Sequence, residues 1–408
     1  MSRYLHAISK CLWPLLVMVY GVTFFHATSF AEHAPLSDLK RLQHAGLMVS
    51  APDGDTLFAH NSDTLYIPAS LVKILTALIA LDVWGPQHRF STDINYDSTT
   101  QCMRVRGKGD PFLISEEIDR LVTHIKAKKL DTFSGIHTDS DFFSAQIDAD
   151  GRGRSFNPYD APYAALAANF NSMALEVKEG QVVSVEEHTP MTAMALEVAN
   201  MLEDGEHRVS LRDSAQAPQY FQQILSAKLV TSDIQVGQNR CDDESIQYAS
   251  WLTYENSHTL QEVVRAMLKY SNNFIAQQLF LMLGAHYYQA PASVEKSQRV
   301  FDEYIAQHFA WQSYQLLEGA GLSRRNQLSA IQIMDVLSRF DQYRQLLAQQ
   351  GPFIMAKTGT MQGVRNYAGY LQQADRWLPF ALIINEQVSY QFRERFTRNL
   401  QHHLNLPK

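Results

Sequence analysis

The segment formed by residues 67–81 constrains the fold more than any other part of the chain. It reads Ile-Pro-Ala-Ser-Leu-Val-Lys-Ile-Leu-Thr-Ala-Leu-Ile-Ala-Leu and is almost wholly apolar. A strand-like segment, residues 63–67, stops at Pro68. Because proline suits the approach to a helix, a helix is predicted from near Ser70 to about Trp84. A helix that is apolar on all faces has to be buried, so a core must surround it.

Ser70 and Lys73 stand three residues apart, so their side chains share one face of the first helical turn. Taken alone, the pair has an ordinary explanation: the serine caps the helix and the lysine extends its amine from the core to solvent. A chemical explanation requires partner residues elsewhere in the chain.

The composition is that of an ordinary globular protein. The chain has 408 residues, of which 46% are apolar and 19% are charged, enough for two or three domains. The net charge of −7 gives no electrostatic reason to expect binding to nucleic acid.

The N-terminus predicts export. Arg3 and Lys10 precede an apolar run over residues 11–25, and Ser29-Phe-Ala31 supplies small residues for cleavage after Ala31. The run is shorter than the ~20 residues of a membrane span, so an uncleaved anchor is the weaker alternative. We therefore predict a signal peptide over residues 1–31 and a periplasmic location, with at most peripheral membrane contact.

Two cysteines, Cys102 and Cys241, remain after that cleavage. In an exported protein they form either one disulfide or two separate buried thiols, and the sequence leaves both alternatives open. The chain has no C-x-x-C pair, and we predict neither a metal nor a cofactor.

The pattern of elements predicts an α+β fold. Early hairpin strands and late strands flank a long mixed region, which favours a sheet built from both chain ends, helices beside it and an inserted domain. A C-terminal amphipathic helix over residues 391–404 packs on the sheet or, alternatively, lies on a membrane surface. Helices are predicted at residues 37–44 with a serine cap, 115–126, 219–228, 259–268, 274–283, 293–309 and 329–347, and strands at 46–50, 56–60, within 90–106, 135–139, 173–177, 353–357, 366–371 and 380–384.

Three short motifs supply the partners that the Ser70 helix needs. Ser70-Leu-Val-Lys73 is followed by Ser271-Asn-Asn273 and then by Lys357-Thr-Gly-Thr360 at the end of a predicted strand. Penicillin-binding proteins and class A β-lactamases carry this set in this order. Each motif alone is a common cap or turn, whereas the ordered series indicates a catalytic site.

The residue types suit acyl transfer to serine. Ser70 becomes a nucleophile when a base removes its proton, and Lys73 can do so only when it is neutral. Burial and the charge of Lys357 are both expected to lower the Lys73 pKa. Ser271 is predicted to relay a proton to the leaving amine.

The remaining motif residues are predicted to bind substrate. Asn273 can hydrogen-bond the substrate amide, Lys357 and Thr358 can bind a carboxylate, and Gly359 keeps the strand edge clear. The backbone N–H groups of Ser70 and Thr360 are predicted to form an oxyanion hole.

The sequence resembles the D-alanyl-D-alanine carboxypeptidase/endopeptidase family, the class C penicillin-binding proteins of low molecular mass. Besides the three motifs, the resemblance rests on family-like segments at residues 109–111, 157–160, 321–326 and 357–366. It implies a serine-transferase (penicillin-binding/β-lactamase-like) fold, with an antiparallel sheet flanked by helices in residues 32–89 and 250–408. It also implies an inserted α/β domain over residues 90–249, in which the inner subdomain is reduced or missing.

The resemblance also implies the substrates. Family members remove terminal D-alanine from peptidoglycan stem peptides and cut cross-links, and penicillins acylate the same serine. By the same resemblance Asp160 and Arg324 either face the substrate side chain or are structural, and Ala320 stands where a serine is common. The alternatives are a β-lactamase-like hydrolase and a non-catalytic peptidoglycan-binding scaffold. The chain has no Glu-x-x-Leu-Asn segment to position a deacylating water, which counts against the β-lactamase. The sequence makes no prediction of an oligomeric state.

Overall fold

The structure is a computed structural model that describes residues 34–404 except Gln146, and only the backbone of residues 34–36. The predicted signal peptide lies outside the described residues. In the described part the helices are α1 Ala34–Lys40, α2 Val72–Trp84, α3 Ser115–Lys126, α4 Ala193–Ala199, α5 Ala217–Thr231, α6 Leu260–Tyr270, α7 Asn273–Tyr288, α8 Val294–His308, α9 Ala330–Phe340 and α10 Phe392–His403. The strands are β1 Ala45–Ser50, β2 Thr56–His60, β3 Ser91–Asp97, β4 Cys102–Arg106, β5 Thr132–Phe133, β6 Gly135–Asp139, β7 Ser172–Lys178, β8 Gln181–Ser184, β9 Gly205–Ser210, β10 Gln235–Val236, β11 Ala249–Glu255, β12 Ile354–Met361, β13 Val364–Gln373 and β14 Arg376–Ile384.

The two ends of the chain build one antiparallel sheet, as the sequence predicts. Its strand order is β12-β13-β14-β1-β2, and Ala45 of β1 pairs with Ile384 of β14. On one face α2, α6, α7, α8 and α9 form a large apolar core, in which ten consecutive residues of α2 are buried. On the other face α1 and α10 cover the sheet. The α+β fold with helices flanking an antiparallel sheet is therefore confirmed.

The region between the halves of this sheet has its own core. One sheet has the order β11-β3-β4-β6 and another the order β8-β7-β9, and both pack with α3 and α5 around a separate apolar cluster. Strand β11 was not predicted, and it pairs with β3 although its residues lie almost entirely beyond the predicted boundary at residue 249. The domain boundaries and the reduced inner subdomain stay predictions.

Several predicted elements differ from those observed. Helix α1 begins at Ala34, so Ser37 lies inside it rather than capping it, because Pro35 is compatible with the first turn. Tyr66 makes only an isolated bridge to Leu328 instead of a strand over residues 63–67. The helix predicted over 329–347 ends at Phe340 and continues as the 3-10 turn Asp341–Leu346. Phe340, Tyr343 and Leu346 are three residues apart, a spacing that suits the three residues per turn of a 3-10 helix.

The C-terminal helix α10 packs on the sheet, which confirms the favoured prediction. Phe392, Phe396 and Leu400 are buried in the cluster between α10 and the sheet, so the apolar face is already covered. Among residues 34–404 no helix has both the length and the apolar character needed to cross a bilayer.

Cys102 and Cys241 form a disulfide, which decides between the two alternatives left open by the sequence. Their Cα atoms are 5.6 Å apart, and 139 residues separate them in the chain. The bond joins the start of β4 to the loop that precedes β11, so both of its cysteines belong to the region between the two halves of the sheet.

We predict that replacing both cysteines by alanine lowers the free energy of unfolding by about 3–5 kcal/mol, because a bridge that closes so long a loop restricts the unfolded chain. Urea unfolding with and without reductant measures the change, and reductant should destabilise only the wild type. Acylation by a fluorescent penicillin should survive the double substitution. Alkylation of Cys102 and Cys241 in denatured, unreduced protein would contradict the prediction.

Candidate active site

The backbone that leads to Ser70 is fixed to the sheet by two asparagines. Asn385 accepts a hydrogen bond from the Ile67 N–H at 2.6 Å and donates to the Ile67 carbonyl at 3.1 Å, and Asn366 donates to the same carbonyl at 2.8 Å. The short 3-10 turn Ala69–Leu71 follows and opens α2. Ser70 therefore stands at the junction between the sheet and the buried helix.

A glycine turn closes on this junction from the opposite side. Gly321 has φ +79°, and a Cβ at this position would lie 2.0 Å from the Ala69 carbonyl oxygen. Ala69 itself has φ +47°, which is uncommon for a residue other than glycine. The approach to Ser70 thus depends on a close backbone contact that a side chain at position 321 would prevent.

Lys73 lies in the first turn of α2 and is fully buried. Its Nζ is 2.9 Å from Ser70 Oγ, and it also donates to Asn273 Oδ1 at 2.8 Å and to the Ala320 carbonyl at 2.5 Å. The last two partners are acceptors only, whereas a serine hydroxyl can accept or donate. A neutral amine would therefore keep both N–H groups on Asn273 and Ala320 and turn its lone pair to the Ser70 hydroxyl.

Burial lowers the pKa of Lys73 from its ordinary value to about 7, and a nearby carboxylate, Glu318, acts in the opposite direction. Burial and the charge of Lys357 were the causes expected from the sequence, and burial is the main one. The repulsion between the two amines is mutual, so it disfavours the charge on either of them. Burial also lowers the pKa of Lys357, with the charge of Lys73 as the next cause.

Glu318 is a site residue that no sequence motif marked. Its fully buried carboxylate accepts five hydrogen bonds, which come from the backbone N–H groups of Ala320, Gly321, Leu322 and Ser323 and from Asn326 Nδ2. Burial raises the pKa of Glu318, while these donors and Lys73 favour the ionised carboxylate. The available signal was an acidic residue directly before a Gly-Ala-Gly turn, where successive N–H groups can converge on one anion.

The carboxylate of Glu318 shapes the turn that presents a carbonyl to Lys73. Ala320 belongs to this turn and is fully buried, and it contacts Lys73 through its backbone carbonyl. Because this contact is made by the backbone, it does not require the serine that is common at this position.

Ser271 and Lys357 form a second hydroxyl–amine pair. Ser271 ends α6 in the left-handed conformation, with φ 53° and ψ 37°, and Lys357 Nζ donates to its Oγ at 2.8 Å. Lys357 also donates to the Thr358 carbonyl at 2.7 Å and is almost completely buried. Such a backbone conformation is costly for a serine and is often found at functional sites.

The Lys357-Thr-Gly-Thr360 segment lies within a strand rather than at its end. Strand β12 continues to Met361 because it pairs with β13 along its whole length. A Cβ on Gly359 would lie 2.8 Å from the Pro68 carbonyl oxygen, so the glycine lets the strand pass close to the Ser70 segment. Thr358 is half-buried and Thr360 is exposed.

Asp160 and Arg324 occupy neighbouring loops. The Asp160 carboxylate accepts from the Gly153 N–H at 3.0 Å and from Ser155 Oγ at 2.5 Å, so it organises its own loop. Arg324 Nη1 donates to the Gln362 carbonyl at 3.0 Å, beside the turn after β12. The loop of Asp160 reaches the site through Tyr159, whose carbonyl accepts from Asn273 Nδ2 at 3.3 Å.

The structure thus brings the three motifs to one place. Two buried amines, two serine hydroxyls and a carboxamide converge there, a set that can activate a hydroxyl and move a proton. Among the described residues no three His, Cys, Asp or Glu side chains are grouped so that they could hold a metal ion.

Known proteins share both sequence and fold with this chain. The chain is 24% identical to the D-alanyl-D-alanine carboxypeptidase of Actinomadura sp. (strain R39), over 83% of this chain and 77% of that protein. It is 22% identical to the D-alanyl-D-alanine carboxypeptidase DacB of Haemophilus influenzae, over 77% of this chain and 79% of that protein. Penicillin binding protein 4 (dacB) of H. influenzae superposes with a TM-score of 0.72 at 19% identity, over 91% of this chain and 99% of that structure.

The family assignment rests on more of the chain than any one motif. The D-Ala-D-Ala carboxypeptidase 3 (S13) family matches residues 28–206 and 198–350, which include Ser70, Lys73, Ser271 and Asn273. The chain belongs to the D-Ala-D-Ala carboxypeptidase 3 (S13) family.

Proposed function

We propose that the protein is a serine peptidase that cleaves D-Ala-D-Ala termini, D-Ala cross-links or both in peptidoglycan, through an acyl-enzyme on Ser70. The observation that carries this proposal is the buried Lys73 amine, 2.9 Å from Ser70 Oγ and shared with two groups that can only accept. Since the pKa of Lys73 is lowered to about 7, a large fraction of this amine is neutral near neutral pH.

In the proposed first step Lys73 takes the Ser70 proton while Oγ attacks the carbonyl carbon of the penultimate D-alanine. The backbone N–H groups of Ser70 and Thr360 stabilise the oxyanion, a contribution typically worth about 3–4 kcal/mol. The proton taken by Lys73 reaches the departing amine through Ser271, which is held by Lys357, so Lys73 is neutral again. A water molecule then attacks the ester carbonyl and gives one proton to Lys73, which passes it to the departing Ser70 oxygen.

The substrate groups in this proposal lie along β12 and at the start of α7. Asn273 uses one amide N–H on Tyr159 and has a second for a substrate carbonyl. Lys357, Thr358 and Thr360 receive the terminal carboxylate. Asp160 and Arg324 are proposed to line the pocket for the substrate side chain.

β-Lactams are proposed to acylate the same serine. Related structures include penicillin binding protein 4 of H. influenzae complexed with a β-lactam and a penicillin G acylated Bd3459 endopeptidase of Bdellovibrio bacteriovorus. We also propose that residues 1–31 export the protein to the periplasm, where the Cys102–Cys241 bond is stable.

The Ser70→Ala protein should lose all labelling by a fluorescent penicillin, because no other nucleophile is proposed to form the acyl bond. Mass spectrometry of purified peptidoglycan peptides should show loss of terminal D-alanine, or cleaved cross-links, with the wild type alone. An unlabelled wild type would refute the enzyme and favour a scaffold. Rapid turnover of the penicillin would instead indicate a β-lactamase.

The rate of acylation should rise with pH through about 7, because the neutral form of Lys73 becomes populated above its pKa. One titrating amine predicts a rate at pH 5 about 100-fold below the plateau. Lys73→Ala should reduce acylation by roughly 10²- to 10⁴-fold while the protein stays folded by circular dichroism. A flat profile between pH 5 and 9, or wild-type rates in the variant, would rule out this base.

Glu318→Gln should move the midpoint of that pH profile to lower pH. The Glu318 charge raises the pKa of Lys73, so its removal makes the ammonium less stable. Asp150→Asn is the matched control, since Asp150 accepts hydrogen bonds from Ser323 and Arg325 of the adjoining loop. An unchanged midpoint in Glu318→Gln, or an equal shift in the control, would refute the electrostatic role.

A further inference from the structure

Arg393 lies outside the three motifs and outside the part of the chain that the family match covers. It is the second residue of α10, whose apolar side chains anchor the helix on the outer face of the sheet. The Arg393 side chain is only 12% exposed. It turns from the helix toward the edge strand β12, where Nη1 donates to Thr360 Oγ1 at 3.2 Å.

The guanidinium is held in a defined orientation. It lies over the ring of Tyr367, 5.8 Å from the centroid, and Nε donates to Glu394 at 2.9 Å. The ring contact and the Nε bond fix the plane of the guanidinium, and Nη1 contacts Thr360 on the edge strand. A fixed planar cation of this kind is suited to carboxylate recognition, because its N–H groups match the two oxygens of the anion.

Arg393 brings a second basic side chain to strand β12, beside that of Lys357. Lys357 is buried in the same strand as Thr360, and the charge of Arg393 contributes to lowering its pKa, after burial and the charge of Lys73. Neighbouring cations repel each other, and the repulsion is relieved when an anion binds between or beside them. Two threonine hydroxyls of the same strand supply further donors to such an anion.

We propose that Arg393 is a substrate-binding residue that recognises the terminal carboxylate, which the leaving group carries. This inference rests on the proposed function, because that carboxylate defines a terminal D-alanine. The Arg393 guanidinium of α10 would thus bind the carboxylate together with the Lys357-Thr-Gly-Thr360 segment of β12. The peptidase thereby distinguishes a chain that ends in a free carboxylate from one that ends in an uncharged group.

The test compares two activated substrates that differ only in this charge: N-benzoyl-D-alanyl thioglycolate and its methyl ester. Thiol release gives kcat/KM for both, and the thioester keeps turnover measurable without the carboxylate. Arg393→Gln should lower kcat/KM for the acid about 10- to 100-fold, the range of a lost charge-assisted hydrogen bond, and leave the ester unchanged. Arg393→Lys should recover part of the loss, because it keeps the charge without the planar fork.

Arg395→Gln is the matched control, because it removes the same charge from the same turn of α10 but its guanidinium lies against Phe392. It should change neither rate. An equal loss for acid and ester in Arg393→Gln would mean a structural role, and no loss for either would mean no role; both overturn the inference. If wild-type protein neither releases thiol nor labels Ser70 with penicillin, the proposed function itself fails.

Discussion

The hydrogen bonds of the buried Lys73 amine are the constraint on which the rest of the site depends. A fully buried ammonium without partners would cost many kcal/mol, so acceptors have to surround it. They come from Ser70 one turn away, from Asn273 at the start of α7 and from the Ala320 carbonyl. Two helices and a turn that are distant in sequence must therefore meet at one point, and the apolar surface of α2 supplies the packing that brings them there.

Sequence patterns predicted the parts of this arrangement that repeat locally or form short motifs. Helical spacing placed Ser70 beside Lys73, apolar periodicity placed most helices, and the order of motifs brought Ser271, Asn273 and Lys357 into one site. The pairing of both chain ends followed from early and late strands around a long mixed region. In each case the signal lay in side chains whose chemistry or spacing is unusual.

The missing parts depend on long-range contacts that leave little trace in one sequence. Any residue can offer a carbonyl, so nothing marked Ala320 as a partner of Lys73. Glu318 resembles a surface acid until the turn folds around it, and Arg393 resembles one of several basic residues on an amphipathic helix. Strand β12 extends past its predicted end because β13 pairs with it, and pairing is a property of two segments together.

The pairing of β1 with β14 also determines when the sheet beside the nucleophile can be completed during synthesis. Ser70 and Lys73 leave the ribosome early, yet their sheet lacks its central strands until residue 384 has been synthesised, because Ala45 pairs with Ile384. Lys357 and the glycine strand edge arrive just before that point. A chain that stops before residue 384 thus carries Ser70 and Lys73 without the strands that complete their surroundings.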